Sequence, residues 1–321
     1  MMARAALTLL VTLALCGCGG NGNKAPSMAA PDGSFAIGET TLVLVDDSRP
    51  TPPNNGFPGS ASRTLNTTVY YPTAGAVGSA VQVGAAPIQG HRFPLIVFAH
   101  GLSAVVKVYA GILQAWAAAG YVVAAPNFPL SNGGAAGGPT AADLVNQPAD
   151  ESFVIDQVLK LNDDAGSLLH GIVDAHHIGG SGQSLGGMTT LAIAFNTCCR
   201  DPRIDAAVPM AGQLRMEFLG GEYEGEIGPP VLIIHGDADD SVPYASATEA
   251  YALADPPKLL LTHLGGNHVV PYVGTNPAVA TTIEASTAFF DLFLKHERDA
   301  LERLLAVGNR DRVTLTYDLT P

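Results

Sequence analysis

The sequence is poor in charge, and above all in positive charge. Only 14% of its 321 residues are charged, and 16 Lys and Arg stand against 29 Asp and Glu, which gives a formal net charge of −13. No run of basic residues occurs anywhere along the chain. A nucleic-acid-binding protein needs clustered Lys and Arg to displace counterions from phosphates, so that class of function is excluded. We interpret the acidity as a contribution to solubility.

Cysteine is also scarce, with four residues in the chain. Cys16 and Cys18 lie near the amino terminus, and Cys198 and Cys199 are adjacent. None of them has partners at the spacing of zinc ligands, so we expect no metal site. Two states stay open for the adjacent pair: a strained vicinal disulfide in an exported protein, or no pairing at all.

Phosphate-binding motifs are missing as well. The sequence contains neither G-x-x-x-x-G-K-[ST] nor a strand-led G-x-G-x-x-G, so the glycine-rich stretch 133–138 is not a phosphate loop. We interpret this stretch as a mobile pocket wall, together with Phe128, Leu130 and Ser131. No cofactor is required by the motifs described below.

The amino terminus carries an apolar run that is too short to cross a bilayer. Arg4 followed by the apolar residues 5–15 has the pattern of an export signal. The segment Leu15-Cys16-Gly17-Cys18 resembles a bacterial lipobox, and we predict Cys18 as the lipidated residue. Cys16 is the rival position, and an ordinary secretory signal without lipid is the other alternative.

These patterns predict the organisation of the chain. We expect a signal peptide with a lipobox over residues 1–18, a flexible tether over 19–33 and one α/β domain over 34–321. The protein is then exported to the bacterial cell envelope, anchored by lipid at the outer membrane or cell surface, or otherwise secreted. We expect no membrane attachment other than this amino-terminal lipid.

The domain itself shows the pattern of a mostly parallel sheet with helices on both faces. From residue 93 onward, continuous apolar runs alternate with helical patterns, and two earlier strand-like runs predict an antiparallel pair at one edge. Only 20 residues, 211–230, separate two of these strands, which leaves no room for a large lid. The predicted strands are 40–45, 64–71, 94–99, 121–125, 178–182, 204–210, 231–234, 259–264 and 312–317; the predicted helices are 109–119, 150–162, 185–196, 245–254 and 278–307.

One strand-like run ends in Gly182-Gln183-Ser184-Leu185-Gly186, and a helical pattern follows it. The pentapeptide fits the nucleophile elbow G-x-S-x-G, in which the serine lies on a strained turn between strand and helix. The glycines let the strand and the helix pass where a Cβ atom would clash. We predict Ser184 as the nucleophile and the Leu185 N–H, at the start of the helix, as an oxyanion donor.

Catalytic groups of open α/β sheets gather at the carboxyl ends of the strands, and two more strand ends carry candidates. One is followed by His100-Gly101-Leu102, where the Leu102 N–H is the candidate for the second oxyanion donor. His100 we interpret as a structural histidine. The other is followed by a glycine-softened loop with His268, the candidate general base. His263, inside the strand pattern, we interpret as structural.

A carboxylate is needed to orient the histidine base, and the strand ending near residue 234 is followed by three candidates. They are Asp237, Asp239 and Asp240, and two of them are then turn or capping residues. Three neighbouring aspartates also raise the possibility of bound calcium. The glycine and the closing glutamate of a calcium loop are missing, however, which disfavours it.

Together these motifs resemble the α/β-hydrolase superfamily, over roughly residues 38–293. The superfamily pattern H-G-x-x-D-x-x-V-P, which starts here at His235, selects Asp239 as the acid. The order Ser184, Asp239, His268 is also the Ser…Asp…His order of these enzymes. The resemblance implies a Ser-His-Asp triad on an α/β-hydrolase fold that acts without a cofactor.

Within the superfamily, the chain is similar to predicted dienelactone hydrolases, platelet-activating-factor acetylhydrolases and related polyester hydrolases. Segments 46–49 and 69–72 look like the amino-terminal strands of that branch. Dienelactone hydrolases use a cysteine where this chain has Ser184, and polyester hydrolases often have Trp or His at the position of Gln183 and Met at that of Leu185. The resemblance implies a serine esterase that cleaves small-molecule, lipid or polyester esters. A polyester hydrolase, a thioesterase, a peptidase and a non-catalytic surface lipoprotein are the alternatives.

Overall fold

The computed structural model describes residues 34–215 and 220–320. Within them, ten strands and six α-helices follow the predicted alternation. The strands are β1 (Ala36–Asp46), β2 (Arg63–Thr73), β3 (Gln82–Val83), β4 (Phe93–Ala99), β5 (Val122–Asn127), β6 (Val173–Gln183), β7 (Ile204–Met210), β8 (Val231–Gly236), β9 (Lys258–His263) and β10 (Val313–Asp318). The helices are α1 (Ala110–Ala118), α2 (Gln147–Asp163), α3 (Leu185–Phe195), α4 (Ala245–Leu253), α5 (Pro277–Leu294) and α6 (Ala300–Val307).

All ten strands join in a single sheet with the order β10-β9-β8-β7-β6-β4-β5-β2-β1-β3. The strands from β4 to β9 are parallel to one another, whereas β2 runs antiparallel to β5 and to β1, and β10 runs antiparallel to β9. The predicted antiparallel pair at one edge of a mostly parallel sheet is confirmed. The parallel core brings the carboxyl ends of β4, β6, β8 and β9 to the same edge of the sheet.

Both ends of the described chain lie on the side of the sheet where the parallel strands begin, opposite to their carboxyl ends. Ala36 opens β1 opposite Thr73, and Asp318 closes β10 opposite Lys258, the first residue of β9. The Phe35 N–H donates to the Ala118 carbonyl, 2.7 Å away, where α1 ends. These points are level with the amino-terminal ends of the parallel strands.

Helices cover both faces of the sheet because successive strand residues point to opposite sides. On one face α1, α5 and α6 bury their apolar side chains against residues such as Ile234 of β8. On the other face α2, α3 and α4 pack against the alternate residues, such as Ile233. The single tryptophan, Trp116, is fully buried, and its ring meets Phe290 of α5 edge-on at 5.5 Å.

The prediction of one long carboxy-terminal helix over 278–307 is wrong. The chain folds there into two helices, α5 and α6. Between them His296 adopts a left-handed conformation with φ of 57°, which a helix does not tolerate. The Glu297 N–H donates to the Asp291 carbonyl at 3.0 Å and closes the turn. The charged segment 295–299 offers no apolar residue to a buried face, so helical packing does not continue through it.

Two further predictions concern segments outside the sheet. The predicted signal peptide and tether, residues 1–33, lie outside the described residues. The other prediction, that the connection between β7 and β8 holds no large lid, concerns residues 211–230. The described part of this connection, 211–215 and 220–230, contains one short 3-10 helix, Gly225–Ile227. In the described ranges no helix has both the length and the apolar character needed to cross a membrane.

Candidate active site

Ser184 lies between the end of β6 and the start of α3, on a strained turn. Its φ and ψ are 59° and −118°, a conformation that costs a residue with a Cβ roughly 1–3 kcal/mol. The Ser184 N–H donates to the Met210 carbonyl at 2.9 Å. A Cβ atom on Gly182 would overlap the Gly186 carbonyl, and one on Gly186 would overlap that of Ala99. The elbow therefore requires glycine at both positions.

The structure brings Ser184, His268 and Asp239 into one chain of hydrogen bonds. The distance from Ser184 Oγ to His268 Nε2 is 2.8 Å, and that from His268 Nδ1 to Asp239 Oδ2 is 2.7 Å. A carboxylate only accepts, so Nδ1 carries the imidazole proton and Nε2 is free to accept from the serine. The Asp239 side chain is buried, whereas that of His268 is 16% exposed. This arrangement is able to activate a serine hydroxyl as a nucleophile.

The Asp239 carboxylate accepts three hydrogen bonds and makes one further close contact. One oxygen accepts the N–H groups of Ser241 and Val242 at 2.9 and 2.8 Å, and the other contacts His268 and, at 3.2 Å, His235 Nε2. Burial pushes the pKa of Asp239 upward, but the bonds from His268, Val242 and Ser241 outweigh it, and the pKa is lowered. Asp239 is therefore ionised at neutral pH, as a partner of an imidazolium must be.

The two neighbouring aspartates have other contacts. Asp237 accepts the Gly265 N–H, and Asp240 accepts the hydroxyl of Ser241 at 3.3 Å. Asp237 thus fastens the loop after β8 to the loop after β9. Of the three candidates, Asp239 is the one whose carboxylate contacts His268.

His235 also belongs to this site. The pattern H-G-x-x-D-x-x-V-P begins at His235, but the sequence alone assigned this residue no role. It is completely buried, and burial lowers its pKa, so the ring is neutral at pH 7. Its Nε2–H donates to the Val242 carbonyl, with 3.0 Å between nitrogen and oxygen, and Nε2 lies 3.2 Å from Asp239 Oδ2. These contacts hold the loop after β8 in place. The position of this histidine four residues before the acid is the signal that could have identified it.

The turn after β4 presents the second predicted oxyanion donor. The His100 Nδ1–H donates to the Gly101 carbonyl at 2.8 Å, and His100 Nε2 accepts the Phe128 N–H at 3.0 Å. Burial lowers the pKa of His100 to about 4, so the ring stays neutral, as a structural histidine. The Leu102 N–H belongs to the same peptide as the Gly101 carbonyl, and it has no acceptor among the described residues.

Leu185 is the first residue of α3, so its N–H has no partner within the helix. The assignment of the Leu102 and Leu185 N–H groups as oxyanion donors stays a prediction. His263, interpreted above as structural, is buried and lies 3.0 Å from the Thr282 hydroxyl. Burial lowers its pKa to about 4.

The predicted pocket wall is confirmed in part. Gly134 lines one open groove, and Leu130 and Ala136 line a smaller hollow of about 210 Å³, whereas Phe128 and Ser131 are buried and are not among the residues that line these two. Phe128 packs under the turn after β4, with its ring centroid 5.0 Å from that of His100. The glycine-rich loop is fastened by Asn54, whose amide donates to the carbonyls of residues 136 and 138. An open groove of about 420 Å³ lies beside this loop; its lining includes Asn66, Lys107, Asn127 and Asn132.

The adjacent cysteines Cys198 and Cys199 are joined by a disulfide. They follow α3 and lie outside the hydrogen-bond chain of Ser184. In the ranges 34–215 and 220–320, no group of three or more His, Cys, Asp or Glu side chains is arranged to hold a metal ion.

Comparison with known proteins gives a short match to one family. A model of the family described as platelet-activating factor acetylhydrolase, isoform II, matches residues 59–129, about a fifth of the chain. This segment contains β2, β4, α1 and the turn with Leu102, but none of Ser184, Asp239 and His268. Two curated relatives are the uncharacterized protein YfhR of Escherichia coli strain K12 and that of Escherichia coli O157:H7. Each is 38% identical over 64 residues, 19% of this chain and 22% of the relative, so the match spans about a fifth of the relatives' length.

A solved structure matches over nearly the whole chain. The ferulic acid esterase from Streptomyces cinnamoneus has 23% sequence identity and a TM-score of 0.68, and the match covers 90% of this chain and 98% of that one. At this identity the likeness establishes the fold. The predicted α/β-hydrolase fold, with its mostly parallel sheet and helices on both faces, is confirmed.

Proposed function

We propose that this chain, which has the α/β-hydrolase fold, is a serine hydrolase that cleaves carboxylic esters through an acyl-enzyme. The observation that carries the proposal is the continuous contact from Ser184 Oγ through His268 to Asp239, at 2.8 and 2.7 Å. Support comes also from the acetylhydrolase family that matches residues 59–129 and from the esterase with the same fold.

In the proposed reaction, Ser184 Oγ attacks the ester carbonyl while its proton passes to His268 Nε2. The negative charge on the carbonyl oxygen is stabilised by the Leu102 and Leu185 N–H groups. His268 then returns the proton to the departing alcohol, and the acyl group stays on Ser184. A water molecule attacks this acyl-enzyme in turn, with His268 as base, and the carboxylic acid leaves.

The surroundings of the site favour an uncharged, apolar ester. Leu102 in the turn after β4 is 42% exposed, and Val269, which follows His268, is 50% exposed. Exposed apolar side chains on the turn of the proposed oxyanion donor and on the loop of the proposed base are available to contact acyl or alcohol groups of a substrate. The described connection between β7 and β8 adds no helix of the size of a lid over them.

A panel of p-nitrophenyl esters tests this function. We expect hydrolysis of the acetate, butyrate or octanoate, with a first burst of p-nitrophenol equal in amount to the enzyme where release of the acyl group is slow. The matched control is p-nitrophenyl phosphate, which we expect to remain intact. The proposal fails if no carboxylic ester is cleaved and a fluorophosphonate probe does not label Ser184.

We further propose that the protein is exported and carries lipid on Cys18, with the tether 19–33 between lipid and domain. Two or three acyl chains anchor a protein firmly, at about 0.8 kcal/mol per buried CH₂ group. Gly19 follows the cysteine instead of an aspartate, so in a Gram-negative source we expect the outer membrane.

Cys18→Ser should stop lipid attachment and lipoprotein processing, while Cys16→Ser should leave both unchanged. Mass spectrometry of the mature amino terminus provides the measurement. An unmodified amino terminus downstream of Cys18 in intact cells would mean simple secretion instead.

A further inference from the structure

The side chain of Gln183, next to the nucleophile, points away from solvent and is 5% exposed. Its amide nitrogen donates to the backbone carbonyl of His268 at 2.9 Å. Its amide oxygen accepts the hydroxyl of Tyr109 at 2.8 Å. Both ends of one side chain are therefore used, and one of them reaches the backbone of the proposed general base.

The chain of hydrogen bonds continues to the turn after β4. The Tyr109 hydroxyl accepts the Gly101 N–H at 3.2 Å, while its own proton is donated to Gln183. Burial raises the pKa of Tyr109 to about 12, so the hydroxyl keeps this proton. Every donor from the Gly101 N–H to the His268 carbonyl has an acceptor, and the direction of each bond is fixed.

These bonds hold the peptide that carries the proposed oxyanion donor. Gly101 is held at its N–H by Tyr109 and at its carbonyl by the His100 ring. The Leu102 N–H, in the same peptide as that carbonyl, therefore has a fixed direction. A Cβ atom on Gly101 would come within 2.8 Å of Gln183 Oε1, so this turn and Gln183 are packed without spare room.

We propose that Gln183 is a positioning residue that, through Tyr109, couples the turn of the oxyanion donor to the loop of the general base. This inference rests on the proposed function. This amide, at the end of β6, bonds directly to the loop after β9 and, through Tyr109, to the turn after β4. A catalytic arrangement misplaced by about 1 Å loses roughly 100-fold in rate. Gln183 itself touches no reacting atom.

Gln183→Met tests the proposal because it keeps a long unbranched side chain and removes both hydrogen bonds. We expect kcat for a p-nitrophenyl ester to fall about 10- to 100-fold, with KM within about threefold, because positioning acts on the reaction rather than on binding. Fluorophosphonate labelling of Ser184 should slow by a similar factor. Tyr109→Phe removes the bonds of the hydroxyl to Gly101 and to Gln183 but keeps the bond from Gln183 to the His268 carbonyl, so it should lose less.

The double variant provides the sharper readout. Gln183→Met already breaks the connection to Tyr109, so Gln183→Met with Tyr109→Phe should be little slower than Gln183→Met alone. Two independent structural defects would instead multiply their losses. If the losses multiply, the proposed coupling is wrong.

The matched control is Gln147→Met. Gln147 is also a buried glutamine whose amide is bonded at both ends, to the hydroxyls of Ser131 and Thr189. We expect it to lower the unfolding temperature about as much as Gln183→Met and to leave kcat within about threefold of wild type. An equal loss of kcat in both variants would overturn the proposal.

The outcomes separate this inference from the proposed function. An active wild type together with a Gln183→Met variant of unchanged kcat and labelling rate overturns the inference alone. A wild type that neither cleaves an ester nor reacts with the fluorophosphonate overturns both. If Gln183→Met does not unfold cooperatively, Gln183→Glu replaces it. This variant keeps the acceptor for Tyr109 but loses the donor to His268, and an unchanged kcat there again overturns the inference.

Discussion

Replacing Ser184 with alanine is expected to abolish ester hydrolysis, with kcat lowered by about 10⁴- to 10⁶-fold. The change removes the one oxygen that His268 Nε2 contacts at 2.8 Å and leaves the Cβ atom and the strained turn in place. No buried hydrogen bond other than that to His268 is lost, so the thermal unfolding temperature should stay close to that of wild type. Initial rates on the best p-nitrophenyl ester give the measurement.

Ser79→Ala is the matched control, since Ser79 is an exposed serine on a loop far along the chain from the elbow. It should keep the activity and the fluorophosphonate labelling of wild type. Near-wild-type turnover in purified Ser184→Ala, free of wild-type enzyme, would remove Ser184 from the mechanism and with it the proposed acyl-enzyme.

Replacing Asp239 with asparagine should have the next largest effect, a loss of about 10⁴-fold in kcat. The Ser241 and Val242 N–H groups both point at one oxygen of Asp239, so the carbonyl of an asparagine would take that place. The amide NH₂ would then face His268 Nδ1, which has to accept and therefore gives up its proton to Nε2. In this tautomer Nε2–H points at Ser184 and cannot take its proton.

The neighbouring aspartates provide two matched controls for that variant. Asp237→Asn keeps a carbonyl oxygen that accepts the Gly265 N–H, and Asp240→Asn changes a contact at the exposed end of the loop. Both should keep kcat within about tenfold of wild type. A larger loss in either of them than in Asp239→Asn would show that the acid is assigned to the wrong residue.

The elbow and the loops around it illustrate what local sequence predicts well. A serine between two glycines, where an apolar run changes to helical spacing, fixes a strand, a turn and a helix, because only such a turn needs glycine at those positions. The alternation of runs and helices likewise predicts a parallel sheet, and a parallel sheet places the ends of its strands at one edge. The superfamily pattern was needed to choose Asp239 over Asp237 and Asp240, since all three follow the same strand.

Other features depend on contacts between residues distant in the chain, and sequence spacing does not contain them. Gln183 is bonded to Tyr109 and to the backbone of His268, which are 74 and 85 residues away. The break at His296 depends on the backbone conformation of one residue in a charged segment, where helical periodicity had suggested continuity. Phe128 follows a strand like a pocket residue, yet it packs beneath His100, which only the tertiary fold determines.

The placement of Ala36 and Asp318, near the two ends of the described residues, has a consequence for attaching the domain to a support. β1 begins and β10 ends at the edge of the sheet opposite to Ser184, and the Phe35 N–H is bonded there to the end of α1. A bead, a fusion partner or a surface joined by a short linker near Ala36 or Asp318 would be attached on the side of the domain where the parallel strands begin. The carboxyl ends of the parallel strands, where Ser184 lies, would then point away from the support.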